Sequence, residues 1–203
     1  MSADARTYLV LCTYGRDALS LRDAAMEEHL SYLRGNRDRL RFAGPLLDND
    51  ARSASGSLAI VEGGGRAGAE DYIAREAFCR AGMFDSIEIV RFESAVGLRQ
   101  VDLEPAGGRQ LYVCRWLTET GQAYGRPPTI PEADASTRML EGGALLSDDG
   151  AQLIGGLFIV ETIDRGHAEA VLASDVGRWG VGDARTLTSR WRFGQALSEG
   201  DGR

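Results

Sequence analysis

A single histidine on a helix-like stretch is the first residue whose type and position could carry chemistry. The chain has 203 residues. On a helical wheel through residues 21–34, His29 lies in the middle of an apolar arc. An imidazole at the floor of a pocket could act as a general acid or base. The alternative is a core histidine whose ring bonds a backbone carbonyl, and the pattern alone does not choose between them.

A carboxylate on a second predicted helix is a candidate partner for this imidazole. Tyr72, Ile73 and Glu76 are spaced to share one helix face. A carboxylate on an apolar face needs a partner. Glu76 could accept the imidazole N–H, fix its tautomer and favour its protonated form, which would give a pair that moves protons near neutral pH. The alternative is a helix-end carboxylate that reaches solvent.

The sequence around the carboxylate recurs in the second half of the chain. "GSLAIVE" at residues 56–62 returns as "GGLFIVE" at residues 155–161, and an offset of 99 aligns residues 56–92 with 155–191 without a gap. Glu76 then aligns with Asp175. With a small length change, "YLVLCTYGRDA" from Tyr8 also resembles "YVCRWLTETGQA" from Tyr112. The pattern predicts an internal duplication.

Hydrophobic periodicity predicts the elements of each half. The first half is expected to contain strands at residues 7–14, 40–46, 57–62 and 86–93, with helices at about 19–34 and 69–78. This β-α-β-β-α-β order is ferredoxin-like. The second half is expected to repeat it, with a Pro-rich stretch, "GRPPTIP", entering a shorter helix that ends near Glu141.

Both faces of the predicted strands are apolar, which indicates that both are buried. We therefore predict an α+β fold in which two ferredoxin-like β-α-β-β-α-β repeats pack sheet to sheet as a single-chain dimeric α+β barrel. The predicted boundaries are 5–97 for repeat 1, 98–108 for a linker, 109–196 for repeat 2 and 197–203 for a tail.

The first half resembles the YCII-related family through "EEHLSYL", "RLRFAGPLL", "GSLAIVE" and "AREAFCRAGMF". The resemblance implies a dimeric α+β barrel and a catalytic His/Asp pair, carried here onto His29 and Glu76. Family members with assigned activity include a dehydrochlorinase of chlorinated hydroxyhydroquinone. The chain departs from the family in having Glu76 for the usual aspartate and Ala77 for the proline after it, while Phe78 keeps the aromatic residue.

Further residues are predicted to bind the substrate. Tyr72 and the Gly44-Pro45 pair accompany the proposed site in repeat 1. Arg115 interrupts an otherwise apolar strand, so it either points into a pocket, where it could hold a phenolate or carboxylate, or lies near an edge. The second half has Asp175 but no histidine on its shorter helix, so we expect one competent site. An exchange in which Asp175 faces His29 is the alternative.

Composition excludes several functional classes. A net charge of −7 without a basic cluster argues against nucleic-acid binding. The absence of lysine excludes Schiff-base chemistry and a phosphate-loop lysine, and the Cys/His spacing fits no metal cluster. No segment is apolar enough to span a membrane, and the start lacks a leader pattern, so we expect a cytoplasmic protein.

A glycine-rich turn, "GGGRAG" at residues 63–68, superficially fits a dinucleotide fingerprint. The equivalent turn in the other half, "TIDRGH", lacks those glycines, and the predicted element order is not a doubly wound sheet. Nucleotide binding is therefore disfavoured.

These observations predict a cofactor-independent enzyme without a metal. His29 would shuttle a proton on a small aromatic or polyketide-like substrate, with Glu76 as orienting partner, in an elimination, isomerisation or cyclisation. The protein would be a monomer or a homodimer of fused barrels. The alternative function is a non-catalytic small-molecule-binding or accessory protein with a decayed site.

Overall fold

The computed structural model describes residues 6–48, 50–104, 108–125, 129–131 and 135–198. The fold is mixed α+β, as predicted. Its first part consists of β1 (Thr7–Tyr14), α1 (Ala18–Gly35), β2 (Leu40–Leu47), β3 (Ala54–Glu62), α2 (Gly65–Arg75), α3 (Ala77–Arg80) and β4 (Phe84–Ser94). Its second part consists of β5 (Gln110–Ala123), β6 (Arg138–Leu146), β7 (Gln152–Thr162), α4 (Arg165–Trp179), β8 (Arg185–Trp191) and α5 (Gln195–Ser198).

The chain divides into two compact units. Unit 1 contains the described residues up to Ile89, the segment Arg99–Leu103 and the residues from Arg192 onward. Unit 2 contains Val90–Leu98 and Glu104–Trp191. Part of the predicted linker and the end of the predicted second repeat thus belong to unit 1. Residues 105–107 of the linker, 126–128 of the Pro-rich stretch and 199–203 of the tail lie outside the described residues.

In unit 1, β3 pairs antiparallel with both β1 and β2. Successive side chains of these strands point to opposite faces of the sheet, and both faces are apolar and buried. Burial of both faces stabilises the strands. One face packs against the helices, with Val10 and Cys12 of β1 in one cluster with Leu33 of α1 and with Tyr72 and Ile73 of α2. This packing brings the candidate residues of both helices onto one side of the sheet.

The second predicted helix is divided in the structure. Glu76 has an extended backbone, with φ −67° and ψ 135°, and it separates α2 from α3. Its side chain caps α3 by accepting the N–H of Cys79 at 3.1 Å. The prediction of one helix over 69–78 missed this break because the apolar spacing continues through it.

The glycine-rich turn is a tight helix start. Gly64 has φ +76°, and a Cβ added there would lie 2.9 Å from the Cα of Gly68. The Arg39 guanidinium donates to the carbonyl oxygens of Glu62, Gly63 and Gly68. These contacts explain the glycines structurally.

In unit 2 the strand order is β8-β5-β7-β6, with residues 91–94 of β4 beside β6. The predicted shorter helix ending near Glu141 is wrong, because residues 138–146 form β6. Leu140, Leu145 and Leu146 are all buried there, and such two-sided burial suits an inner strand. Among the described residues, the elements of unit 2 therefore do not repeat the β-α-β-β-α-β order.

The strand pairs that hold the two aligned segments share one register. In β1 and β3, Tyr8 faces Val61 and Cys12 faces Ser57. In β5 and β7, Tyr112 faces Val160 and Trp116 faces Gly156. These residues correspond under the sequence alignment, so position 12 is matched by position 116 and position 57 by position 156.

Candidate active site

His29 and Glu76 form a hydrogen-bonded pair in unit 1. Nδ1 of His29, on α1, lies 2.5 Å from Oε1 of Glu76. Glu76 is 3% exposed, whereas the His29 side chain is 19% exposed. An ionised carboxylate can only accept a hydrogen bond, so in that state Nδ1 is the donor and Nε2 is the ring nitrogen left for a ligand. The histidine thus bonds a carboxylate rather than a backbone carbonyl.

Two further contacts fix the geometry of the pair. Oε2 of Glu76 accepts the Cys79 N–H, so both carboxylate oxygens are engaged. The Phe78 ring stacks on the imidazole, with ring centroids 3.8 Å apart and planes 9° apart. The turn between α2 and α3 therefore supplies the acid, its second hydrogen bond and the aromatic wall of the imidazole.

The imidazole lines a cavity of about 190 Å³ whose lining residues all belong to unit 1. An apolar cavity of roughly 150 Å³ can hold benzene, so this volume suits one substituted ring. Tyr14, Tyr72, Phe78 and Phe84 supply aromatic surface to the lining. The cavity is therefore small, partly aromatic and in contact with the histidine.

The hydroxyl and thiol groups of the lining stay protonated near neutral pH. Burial raises the pKa of Tyr72 well above its ordinary value. Burial also raises the pKa of Tyr14 to about 12 and the pKa of Cys12 to about 12. A protonated thiol is a poor nucleophile. The imidazole and its carboxylate are thus the best placed groups in the lining for proton exchange.

Three of the predicted substrate-binding residues, Tyr72, Gly44 and Pro45, line the cavity. The other two lie in unit 2, where Arg115 is a half-buried residue of β5. Asp175, on α4, is 1% exposed; its Oδ2 accepts the Trp116 Nε1–H at 2.7 Å, and its Oδ1 lies 2.5 Å from Arg178. The alternative in which Asp175 partners His29 is wrong, because Glu76 occupies that role.

Sequence reasoning missed two arginines of the lining, Arg22 and Arg192. Arg22 lies seven residues before His29 on α1, and Met26 lies between them. This i, i+4, i+7 spacing could have placed Arg22 on the histidine's face of the helix. Arg192 directly follows β8, and nothing in its local pattern indicates a site.

Two further observations concern membranes and metals. In the part of the chain that the structure describes, no helix combines the length and apolarity needed to cross a bilayer. Over the same residues, no three His, Cys, Asp or Glu side chains are grouped so as to hold a metal ion. The cytoplasmic location and the oligomeric state stay predictions.

Comparison with known proteins finds a family similarity in the first part of the chain. Residues 7–93 match the YCII-related domain, and the search of curated proteins found no match. Among solved structures, the 5-chloro-2-hydroxyhydroquinone dehydrochlorinase of Burkholderia phenoliruptrix AC1100, in complex with 2,5-dihydroxybenzoquinone, is 22% identical. That alignment covers 41% of this chain and 89% of that one, with a TM-score of 0.38.

Two other structures align over nearly the whole chain. A variant chlorite dismutase of Candidatus Nitrospira defluvii is 9% identical, with a TM-score of 0.54 over 92% of this chain and 91% of that one. An anthrone oxidase-like protein is 15% identical, with a TM-score of 0.49 over 98% of each chain. At such low identity, the likeness to chlorite dismutase shows a shared fold.

Proposed function

Because residues 7–93 match the YCII-related domain, we propose that this chain is an enzyme that moves a proton on a small aromatic substrate through His29 and Glu76. The observation that carries the proposal is the 2.5 Å contact between Nδ1 and Oε1 in a histidine that lines a cavity. A carboxylate bonded to one ring nitrogen fixes the tautomer and orients the other nitrogen as the proton acceptor.

In the proposed reaction, Nε2 of His29 removes a proton from the substrate, and Glu76 stabilises the imidazolium that forms. In an elimination, the electron pair of the broken bond forms the new double bond and expels the leaving group as an anion, and the imidazolium then releases its proton to solvent. In an isomerisation or cyclisation, the imidazolium returns the proton to another substrate atom. Each step conserves electrons, so no redox cofactor is needed.

The size of the cavity narrows the proposed substrate. At about 190 Å³ it is smaller than typical sites for drug-sized ligands, which start at roughly 300 Å³. Stacked aromatic walls favour a planar ring. A single substituted ring therefore suits the site better than a polycyclic polyketide.

We also propose that unit 2 contains a second, altered copy of the repeat. The identical register of β1 with β3 and of β5 with β7 supports a common origin. The acid aligned with Glu76 is Asp175, and its hydrogen bonds go to Trp116 and Arg178 rather than to a histidine. Proton transfer is therefore assigned to unit 1 alone.

The proposal is tested with a panel of chlorinated, hydroxylated and carboxylated single-ring compounds incubated in D₂O. Halide release and solvent deuterium incorporation, followed by ion chromatography and mass spectrometry, report on proton transfer. His29→Asn is expected to lower the rate on any active compound by about 10²–10⁴-fold. Thermal unfolding of the variant, measured alongside, shows whether it is folded before its rate is interpreted, because the substitution also removes the imidazole that bonds the buried Glu76.

His167→Asn is the matched control, because Nδ1 of His167 also contacts a carboxylate, Oδ1 of Asp164, at 2.9 Å, but in an exposed position on α4. It should retain the full rate. Equal loss in both variants, or retained activity in His29→Asn, would overturn the assignment. Ligand binding without turnover across the panel would favour the non-catalytic binding protein.

A further inference from the structure

Two guanidinium groups line the same cavity as the proposed proton-transfer pair. Arg22 extends from α1, two helical turns before His29, and Arg192 lies in the segment that follows β8. Arg22 is half-buried and Arg192 is exposed. The cavity lining therefore combines the His29–Glu76 pair with two permanent positive charges, since arginine stays protonated at all physiological pH values.

Neither arginine has a hydrogen bond or an ion pair to another side chain among the residues that the structure describes. The chain has 30 acidic residues for 23 arginines, so acidic partners are abundant. Arginines elsewhere use them: Arg99 lies 2.6 Å from Glu62, and Arg178 lies 2.5 Å from Asp175. Two unpaired arginines beside a half-buried cavity leave their hydrogen-bond donors for a ligand.

The backbone that carries Arg192 is anchored within unit 1. Gly194 donates its N–H to the Ala43 carbonyl oxygen at 2.9 Å, and a Cβ on Gly194 would lie 2.7 Å from that oxygen. Gln100, which is 1% exposed, accepts from the Ala43 N–H and donates to the Gly194 carbonyl oxygen. Arg192 is thus two residues from a buried anchor, which limits how far it can move from the cavity.

The Tyr14 hydroxyl interacts electrostatically with both Arg22 and Arg192. Burial raises its pKa to about 12, while Arg22 and Arg192 act in the opposite direction on the same hydroxyl. Both guanidinium groups therefore lie on the side of the cavity that contains the Tyr14 hydroxyl, where Glu76 acts on that hydroxyl in the opposite sense. A neutral Tyr14 hydroxyl adds a hydrogen-bond donor beside them.

We propose that Arg22 and Arg192 bind a carboxylate of the substrate, so that the substrate of the proposed proton transfer is a single-ring aromatic acid. Guanidinium groups match a carboxylate in shape and can donate two hydrogen bonds each. Binding the carboxylate at the arginines fixes the ring relative to His29. This inference rests on the proposed function in treating the bound acid as a substrate. Binding of the anion itself does not require turnover. It also replaces Arg115, the anion holder expected from sequence.

The probes are benzoate and benzamide, which share a ring and differ in charge. Isothermal titration calorimetry with the full chain is expected to show benzoate binding at least about tenfold more tightly than benzamide. Arg22→Gln and Arg192→Gln should each weaken benzoate binding by about tenfold, and should change benzamide binding by less than about twofold. Arg185→Gln, an exposed change in unit 2, is the control and should alter neither.

The outcomes separate this inference from the proposed function. Benzoate selectivity that disappears in Arg22→Gln and Arg192→Gln supports the carboxylate site even if no compound turns over. The inference would be overturned if benzoate and benzamide bound with equal affinity, or if the variants bound benzoate like the parent. It would also be overturned if benzoate did not bind at about 10 mM, roughly the weakest affinity worth assigning to a site. His29-dependent turnover of neutral rings would then keep the proposed function without the anion site.

Discussion

The two aligned acids of this chain lie in similar local frames and have different partners. Glu76 in unit 1 and Asp175 in unit 2 are both buried beside an antiparallel strand pair of identical register. Glu76 bonds His29, which lines a cavity, whereas Asp175 bonds the indole of Trp116. Both units thus contain a buried acid. Of the two, only Glu76 bonds an imidazole, which has a second ring nitrogen and belongs to a residue that lines a cavity.

One pair of facing strand positions contributes to this difference, together with the lack, among the described residues of unit 2, of a helix between β5 and β6 that could carry a histidine. In unit 1, Cys12 faces Ser57, and both line the cavity. In unit 2, Trp116 faces Gly156, and a Cβ on Gly156 would lie 2.4 Å from the Trp116 Nε1. The glycine therefore makes room for the indole. A small pair of residues leaves space for a ligand, whereas a tryptophan with a glycine fills it.

The partners also set what the acids can do. Asp175 accepts from two fixed donors, Trp116 and Arg178, and neither can shuttle a proton at neutral pH. Glu76 accepts from a backbone N–H and from an imidazole, which can. Burial of an acid is therefore not enough to identify a site of proton transfer. The hydrogen-bond partner of the acid must also be a group, such as an imidazole, that can gain and lose a proton near neutral pH.

The most direct test of the different roles of Glu76 and Asp175 is to replace each acid by its amide in turn. Glu76→Gln is expected to lower turnover by about 10²–10⁴-fold, because an amide can donate to Nδ1 and thereby select the wrong tautomer. Asp175→Asn should leave turnover within about twofold of the parent, since its partners lie in unit 2. Steady-state rates on any compound found active in the deuterium panel provide the measurement.

Unfolding by urea, monitored by circular dichroism, shows whether each amide variant is folded before its rate is interpreted. Comparable rate losses in both folded variants would mean that Asp175 takes part in the chemistry. The proposed division of labour between the units would then be wrong.

The next largest effect is expected from removing the indole. Trp116→Ala should lower the free energy of unfolding by about 3–5 kcal/mol, because it empties a fully buried volume and leaves Oδ2 of Asp175 without its donor. Cys12→Ala at the matching position of unit 1 should cost about 1 kcal/mol, since that side chain is small and faces a cavity. Urea unfolding curves measure both; a loss below 1 kcal/mol for Trp116→Ala would show that the indole is not a packing residue.

Most strands and helices of unit 1 could be predicted from local sequence patterns, whereas the His29–Glu76 pair was indicated by the resemblance to the YCII-related family. The spacing of Tyr72, Ile73 and Glu76 predicts one buried face, and all three side chains are buried. The strands around Tyr8 were also predicted, because their period is regular and both faces are apolar. Local patterns suffice where an element obeys one period from end to end.

The features that were missed depend on non-local contacts. The strand that contains Glu141 was taken for the end of a helix, because its partners β4 and β7 are distant in sequence. The break at Glu76 is stabilised by its contacts with His29 and Cys79, which helical periodicity does not report. Arg192 lines the cavity from the segment after β8, where Gly194 bonds Ala43, a residue distant in sequence. Tertiary pairing decided each of these three cases.

A smaller effect is expected from filling the space of Gly156. Gly156→Ala places a methyl group against the indole and should lower the free energy of unfolding by about 1–3 kcal/mol. The reciprocal change in unit 1, Ser57→Gly, removes atoms beside an open cavity and should cost no more than about 1 kcal/mol, the usual effect of glycine in a strand. Thermal unfolding of both variants tests whether the indole requires the glycine; an unchanged Gly156→Ala would show that it does not.

The smallest effect concerns the pH dependence of stability. Burial raises the pKa of Asp175 from 3.8, although Trp116 and Arg178 oppose the shift. A raised folded-state pKa makes the protonated acid the favoured form in the native protein, so its contribution to stability is complete below the unfolded pKa and is lost as the pH rises through the folded one. The parent's free energy of unfolding, minus that of Asp175→Asn, should therefore decrease from pH 4 upward and level off above the raised pKa. For one proton the slope stays below about 1.4 kcal/mol per pH unit. Urea titrations of both proteins between pH 4 and 7 give this difference, and an increase with pH would mean that the donors Trp116 and Arg178 outweigh burial.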